Sequence, residues 1–204
     1  WKYLWIDPWS GGDGCITLVD PEDENTIYYS SQEGGVRRMN LSSGLSTNIR
    51  PKLGEDHPAL KYNFISPYIL SPHHNTLYLA GNYVLKSTNR GNDWTAISGD
   101  LTISKDKSKK ALAAGALAES PLQKNLIYMG TDRGAFWVTE DGGQNWEERS
   151  TGLPNNYIRC ITPSVYKASR VYITLSGINY DDLNAHLYVS EDYGKTWKSI
   201  LGNL

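Results

Sequence analysis

Three near-copies of one octet recur at almost constant spacing along this 204-residue chain: Ser87-Thr88-Asn89-Arg90-Gly91-Asn92-Asp93-Trp94, Thr139-Glu140-Asp141-Gly142-Gly143-Gln144-Asn145-Trp146 and Ser190-Glu191-Asp192-Tyr193-Gly194-Lys195-Thr196-Trp197. Their tryptophans lie 52 and 51 residues apart. A repeat of that length is one supersecondary unit that cannot bury its apolar face alone, so the copies must stack. A period of about 50 residues built from strands predicts a propeller or a solenoid.

Each octet reads as a hairpin tip. The Ser or Thr hydroxyl and the Asp or Asn side chain can bond nearby backbone groups and fix a turn. Glycine takes a positive φ without steric cost. The tryptophan opens the following strand and buries a large ring, with its indole N–H expected at the wetter edge. The pattern Ser/Thr-x-Asp/Asn-x-Gly-x-x-Trp resembles the Asp-box, or BNR repeat, of sialidases, sortilin-type receptors and certain glycoside hydrolases. The resemblance implies that Ser87, Asn89, Gly91, Trp94, Thr139, Asp141, Gly143, Trp146, Ser190, Asp192, Gly194 and Trp197 are folding residues at the blade periphery without a catalytic role. Asn89 departs from the box Asp; it keeps the turn chemistry and drops the charge.

Around the octets the chain divides into four units. Turn prolines Pro21, Pro72, Pro121 and Pro163 mark the same corner in each, and four short strands are expected per unit. The predicted fold is all-β: a β-propeller of four consecutive four-stranded antiparallel blades, part of a larger propeller. Residues 1–14 are a leader or the end of an upstream blade, with 15–51 as blade 1, 52–101 as blade 2, 102–151 as blade 3 and 152–204 as blade 4. Blade 1 has no octet, and its turn is Asn40-Leu41-Ser42-Ser43-Gly44. In blade 4 a long loop is expected over 176–185.

The formal charge of −2 argues against nucleic acid, which calls for a basic patch. Seven Trp and 14 Tyr against two Phe suit packed sheets whose aromatics keep polar handles. Cys15 and Cys160 are too few for a disulfide framework and are expected as buried free thiols. No apolar run approaches the ~18 residues of a membrane span. The chain opens Trp1-Lys2-Tyr3 without a signal peptide, which leads us to expect a piece of a larger protein.

Further segments resemble the sortilin-related branch of BNR proteins, glycosyl-hydrolase-like in bacteria: Gly11-Gly12-Asp13-Gly14, Ser71-Pro72-His73-His74-Asn75-Thr76-Leu77-Tyr78, residues 94–102 from Trp94 to Thr102, and the closing residues from Trp197 to Leu204. That resemblance implies an extracytoplasmic protein with more than four blades. Its partners would be the remaining blades or other chains, and its ligand a peptide or a polysaccharide.

In a propeller, the loops entering the inner strands and those joining second to third strands gather on one rim, and loops on a rigid scaffold carry function. Trp9, Asp13, Glu33, Tyr83, Asp132, Arg133 and Tyr180 are the candidate ligand residues there, with Asn82, Asn179, Asp181, Asp182 and His186 beside them. Glycoside hydrolysis needs two carboxyls, and Asp13 and Asp132, each beside a glycine-bearing rim loop, are the candidates. A sialidase would need clustered arginines and a Phe/Tyr-Arg-Ile-Pro motif; Ile49-Arg50-Pro51 has the wrong order. The run Asn179-Tyr180-Asp181-Asp182-Leu183-Asn184 lacks EF-hand spacing, and His73-His74 lacks a third ligand, so neither a metal nor a cofactor is expected. The sequence therefore supports a non-enzymatic binding propeller, with a glycoside hydrolase as the alternative.

Overall fold

The computed structural model describes residues 12–54, 57–73, 75–104 and 111–202. Trp9, His74, the leader up to residue 11 and the blade 3 entry residues 105–110 lie outside the described residues. Among the described residues, sixteen strands form four antiparallel sheets, each in simple chain order. Blade 1 holds β1 (Thr17–Asp20), β2 (Asp23–Ser30), β3 (Val36–Asn40) and β4 (Ser46–Asn48). Blade 2 holds β5 (Tyr68–Leu70), β6 (Leu77–Ala80), β7 (Val84–Ser87) and β8 (Thr95–Ala96). Blade 3 holds β9 (Ala114–Glu119), β10 (Ile127–Thr131), β11 (Phe136–Thr139) and β12 (Glu147–Glu148). Blade 4 holds β13 (Tyr157–Pro163), β14 (Val171–Gly177), β15 (Asp182–Ser190) and β16 (Lys198–Ser199). The architecture is a β-propeller.

The core is divided among the three blade interfaces. Tyr28, Val36 and Ile49 of blade 1 pack with Tyr68, Leu77 and Leu79 of blade 2. Tyr78, Ala80 and Val84 then meet Ala114, Leu117, Ile127 and Met129 of blade 3. Tyr128, Phe136 and Val138 in turn meet Ile158, Ile161, Ile173 and Leu175 of blade 4. Strands β6 and β10 are buried along their whole length because a blade covers each face. By contrast, β14 alternates between buried and more exposed residues, since its far face carries no further blade among the described residues. This corrects the expectation for the thiols. Both cysteines are free, but Cys160 is exposed on that uncovered face and Cys15 is half-buried two residues ahead of β1.

The octets form as expected and add a link that the sequence does not reveal. In blade 3 the Thr139 hydroxyl donates to Asp141 at 2.7 Å and accepts from Gly143 N–H at 2.9 Å, while Asp141 accepts from Asn145 N–H at 3.0 Å. The same bonds recur at Ser87/Asn89 and Ser190/Asp192. The indole N–H groups, expected at the wet edge, instead cross to the preceding blade. Trp94 donates to the Ile49 carbonyl at 2.8 Å, Trp146 to Ile97 at 2.8 Å and Trp197 to Arg149 at 2.9 Å. Each of those acceptors belongs to the residue whose own N–H closes the outer strand pair of its blade. Gly143 has φ +102°, and a Cβ there would run into the Ile97 carbonyl oxygen, so the glycine serves both the turn and the approach of the neighbouring blade.

Blade 1 shows how a blade without the octet keeps the same corner. Leu41 N–H donates to Asn25 C=O at 2.6 Å, matching Gly142 to Asn125 at 3.0 Å and Tyr193 to Ser169 at 2.8 Å. The long loop expected over 176–185 is instead an extended hairpin: β14 runs to Gly177, a 3-10 turn spans Ile178–Tyr180, and β15 begins at Asp182. Backbone pairing overrides the polar composition of that stretch.

Trp146→Phe is expected to lower stability by about 1 kcal/mol, because the half-buried ring is largely kept while the Ile97 carbonyl loses its donor. Trp146→Ala should cost about 3 kcal/mol or more through lost packing. Urea denaturation of both variants measures this, and an unchanged Trp146→Phe would remove the inter-blade bond as a stabilising link.

Candidate functional site

Antiparallel strands alternate in direction, so the entries to β1, β5, β9 and β13 share one rim with the β2–β3, β6–β7, β10–β11 and β14–β15 turns. The octets and the proline corners occupy the opposite rim. The expected ligand residues do not form one group. Asp13 is exposed on blade 1, its N–H held by Gln32 Oε1 at 2.9 Å. Glu33 is exposed at φ +56°, with its N–H donating to Phe64 C=O at 3.0 Å. Tyr83 is buried edge-to-face against His57. Its neighbour Asn82 is buried and staples connectors, accepting from Lys61 N–H at 2.8 Å and donating to Asp100 at 3.2 Å.

Asp132, Arg133 and Tyr180 do converge, at the junction of blades 3 and 4. The Tyr180 hydroxyl donates to the Asp132 carbonyl at 3.2 Å, and the Arg133 guanidinium lies 4.4 Å above the Tyr180 ring. The Asp132 carboxylate accepts from Leu112 N–H at 3.0 Å, so it is held by the incoming connector and not by its own turn. Burial pushes its pKa up. The Leu112 and Ala113 backbone, the Asn63 side chain and the Arg133 guanidinium offset part of that rise. Asn63 reaches in from the blade 1–2 connector and also donates to the Ala113 and Ala114 carbonyls at 3.2 and 2.9 Å.

Two further residues complete the cluster. Tyr157 has its pKa raised by burial above all, with the Asp132 and Tyr180 charges adding to the rise and the Arg159 cation opposing it. Arg159 lies 3.8 Å above the Tyr157 ring. Both were missed in the sequence because they sit on an inner strand, where alternation predicts only packing. What exposes them is irregular pairing. Ile158 faces Leu175 and Cys160 faces Thr174, which leaves Arg159 as the extra residue of a bulge. Opposite, Ala116 faces Gly130 and Ala114 faces Thr131, leaving Gly115 unpaired. A Cβ on Gly115 would run into the Tyr157 ring, so the glycine makes room for it. Bulges re-aim side chains and concentrate next to active sites.

Asp182 is spent on structure. It accepts from Asn156 Nδ2 at 2.7 Å, His186 Nε2 at 2.6 Å and Asn184 N–H at 3.0 Å, which hold its carboxyl far below the usual range. Among the described residues, no group of three or more His, Cys, Asp or Glu is placed to hold a metal ion. No helix of the described residues is long and apolar enough to cross a membrane.

Repeated Asp-box blades with a polar, aromatic rim define an Asp-box β-propeller. A family profile described as "Sortilin-Vps10: Sortilin, neurotensin receptor 3" matches residues 82–204, and the chain belongs to that family. It is 26% identical over 221 residues to the oligoxyloglucan-reducing end-specific xyloglucanase of Emericella nidulans, covering 94% of this chain and 24% of that protein. It superposes on the GH74 xyloglucanase of Xanthomonas campestris with a TM-score of 0.67 at 21% identity, covering 95% of this chain and 31% of the other. YCF48 from Cyanidioschyzon merolae gives 0.62 at 12% identity, covering 97% and 59%. The chain thus spans about a quarter to a third of the length of the two xyloglucanases.

A carboxyl whose pKa is higher folded than unfolded binds its proton more readily in the native state. Its contribution to stability is therefore full at acid pH and is lost as pH rises through the folded pKa. Asp132→Asn, which keeps an oxygen to accept from Leu112, is expected to be at least as stable as the parent at neutral pH. That advantage should vanish below the ordinary aspartate value of 3.8. Thermal unfolding of both proteins across this range gives the comparison, and a parent that is the more stable only at neutral pH would contradict it.

Proposed function

We propose that this chain is the propeller part of an extracytoplasmic glycoside hydrolase that binds a polysaccharide across the blade 3–4 rim. The observation that carries this reading is Asp132, a half-buried carboxyl with a raised pKa beside Tyr157 and Tyr180 at a bulged rim. A carboxyl so tuned can hold a proton for a leaving glycosidic oxygen. The tyrosines give ring edges for sugar to pack on. Asp13, exposed on the same rim at blade 1, stands apart from Asp132, so this reading draws its second carboxyl from a further blade. The xyloglucanase relatives support the substrate class as a β-linked glycan. The uncovered face of blade 4 supports a further blade or chain as partner.

A second reading is a receptor-type binding module, favoured by the family's description as a neurotensin receptor. Release of reducing ends from xyloglucan and other β-glucans separates the two. Under the hydrolase reading, Asp132→Asn loses on the order of 10²–10⁴ in rate with the fold intact. A protein that binds glycan without releasing ends, or whose rate survives Asp132→Asn, leaves the binding module.

A further inference from the structure

The hydrolase reading accounts for Asp132 and the tyrosines but leaves two cations unexplained. Most arginines of the chain are committed. Arg149 pairs with Glu140 and Glu147 at 2.7 Å each, Arg170 with Glu191 at 2.8 Å and Arg90 with Asp20 at 3.2 Å, while Arg38 donates to the Arg90 carbonyl at 2.7 Å and Arg37 to the Ser46 hydroxyl at 2.8 Å. Arg133 and Arg159 are both exposed, and neither guanidinium takes an ion pair or hydrogen bond among the described residues. Each instead lies over a tyrosine ring, at 4.4 Å from Tyr180 and 3.8 Å from Tyr157. The two rings belong to one cluster, because Tyr157 feels the charges of both Tyr180 and Asp132.

Stacking over a ring leaves guanidinium N–H groups free to bond a carboxylate in bidentate fashion. It also restricts a long side chain before any ligand arrives, which lowers the entropy cost of binding. The bulge at Arg159 adds a backbone irregularity whose effect is to aim that residue. The chain as a whole is acidic, at −2, so a polyanion would not be drawn by net charge; any preference must come from local placement.

We propose that the blade 3–4 rim recognises a carboxylate-bearing sugar, a uronic acid unit, through the guanidinium groups of Arg133 and Arg159. This rests on the rim being a glycan site and adds the charge of the glycan. Arg133 and Arg159 bind and position; they take no part in bond cleavage.

Calorimetric titration of the protein with β-1,4-linked triglucuronate, with cellotriose and with a short Asp/Glu peptide tests the assignment. The triglucuronate should bind at least about ten-fold more tightly than cellotriose. Arg133→Met and Arg159→Met, which keep the apolar stem over each ring, should each reduce that preference about ten-fold, and the Lys variants should restore only part of it. Both sites are exposed, and an unchanged near-UV spectrum confirms the fold. Equal affinity for the two saccharides overturns the uronate assignment while leaving the glycan reading standing. Binding of neither saccharide removes both. An acidic peptide that binds as tightly as the triglucuronate, or a preference that survives both Met variants, also overturns it.

Discussion

One hydrogen bond, repeated at each blade boundary, organises this protein. An indole N–H leaves its own sheet and caps a carbonyl at the outer strand of the sheet before it, between Trp94 and Ile49, Trp146 and Ile97, and Trp197 and Arg149. An outer strand of two or three residues has few ladder bonds of its own, and a carbonyl at its end would be left against apolar surface. The tryptophan satisfies that group and buries its ring in the same gap, as where Trp197 meets Phe136 edge-to-face at 4.8 Å. Inter-blade spacing is thus set at the octets, on the rim away from the candidate site.

Anchoring one rim frees the other to be irregular. Regular pairing runs through the middle of blades 3 and 4, and the departures at Gly115 and Arg159 lie toward the opposite end. There the chain tolerates a desolvated carboxyl at Asp132, which costs stability and is the kind of local cost that functional groups carry. Asp182, a few residues from Tyr180, shows the contrast: three donors compensate it fully, so it is a hinge pin of the hairpin and not a reactive group.

The periodic elements were legible. Octet turns depend on atoms four residues apart or fewer, so Ser190, Asp192 and Gly194 could be assigned roles from spacing alone. A second repeat was equally present and went unread: Asn25-Thr26-Ile27-Tyr28, Asn75-Thr76-Leu77-Tyr78 and Asn125-Leu126-Ile127-Tyr128 recur at intervals of 50. It supplies the buried tyrosines Tyr28, Tyr78 and Tyr128 at the three interfaces. The hairpin at Gly177–Asp182 was read as a loop because its composition is polar, yet pairing with a neighbouring strand outweighs composition.

The amino-acid sequence by itself determined that there are four stacked all-β units, where their corners fall, and which octet residues pin them, since each of these follows from short-range turn chemistry repeated at a fixed period. Tertiary structure alone decided that Asp132 is desolvated, that Tyr157 and Arg159 join it, and that Asp13, Glu33 and Tyr83 stand apart. Those outcomes arise where Asn63, Leu112, Asp132, Tyr157 and Tyr180 meet from separate stretches, and where strand register slips by one residue. Neither convergence nor a register slip leaves a mark in local composition.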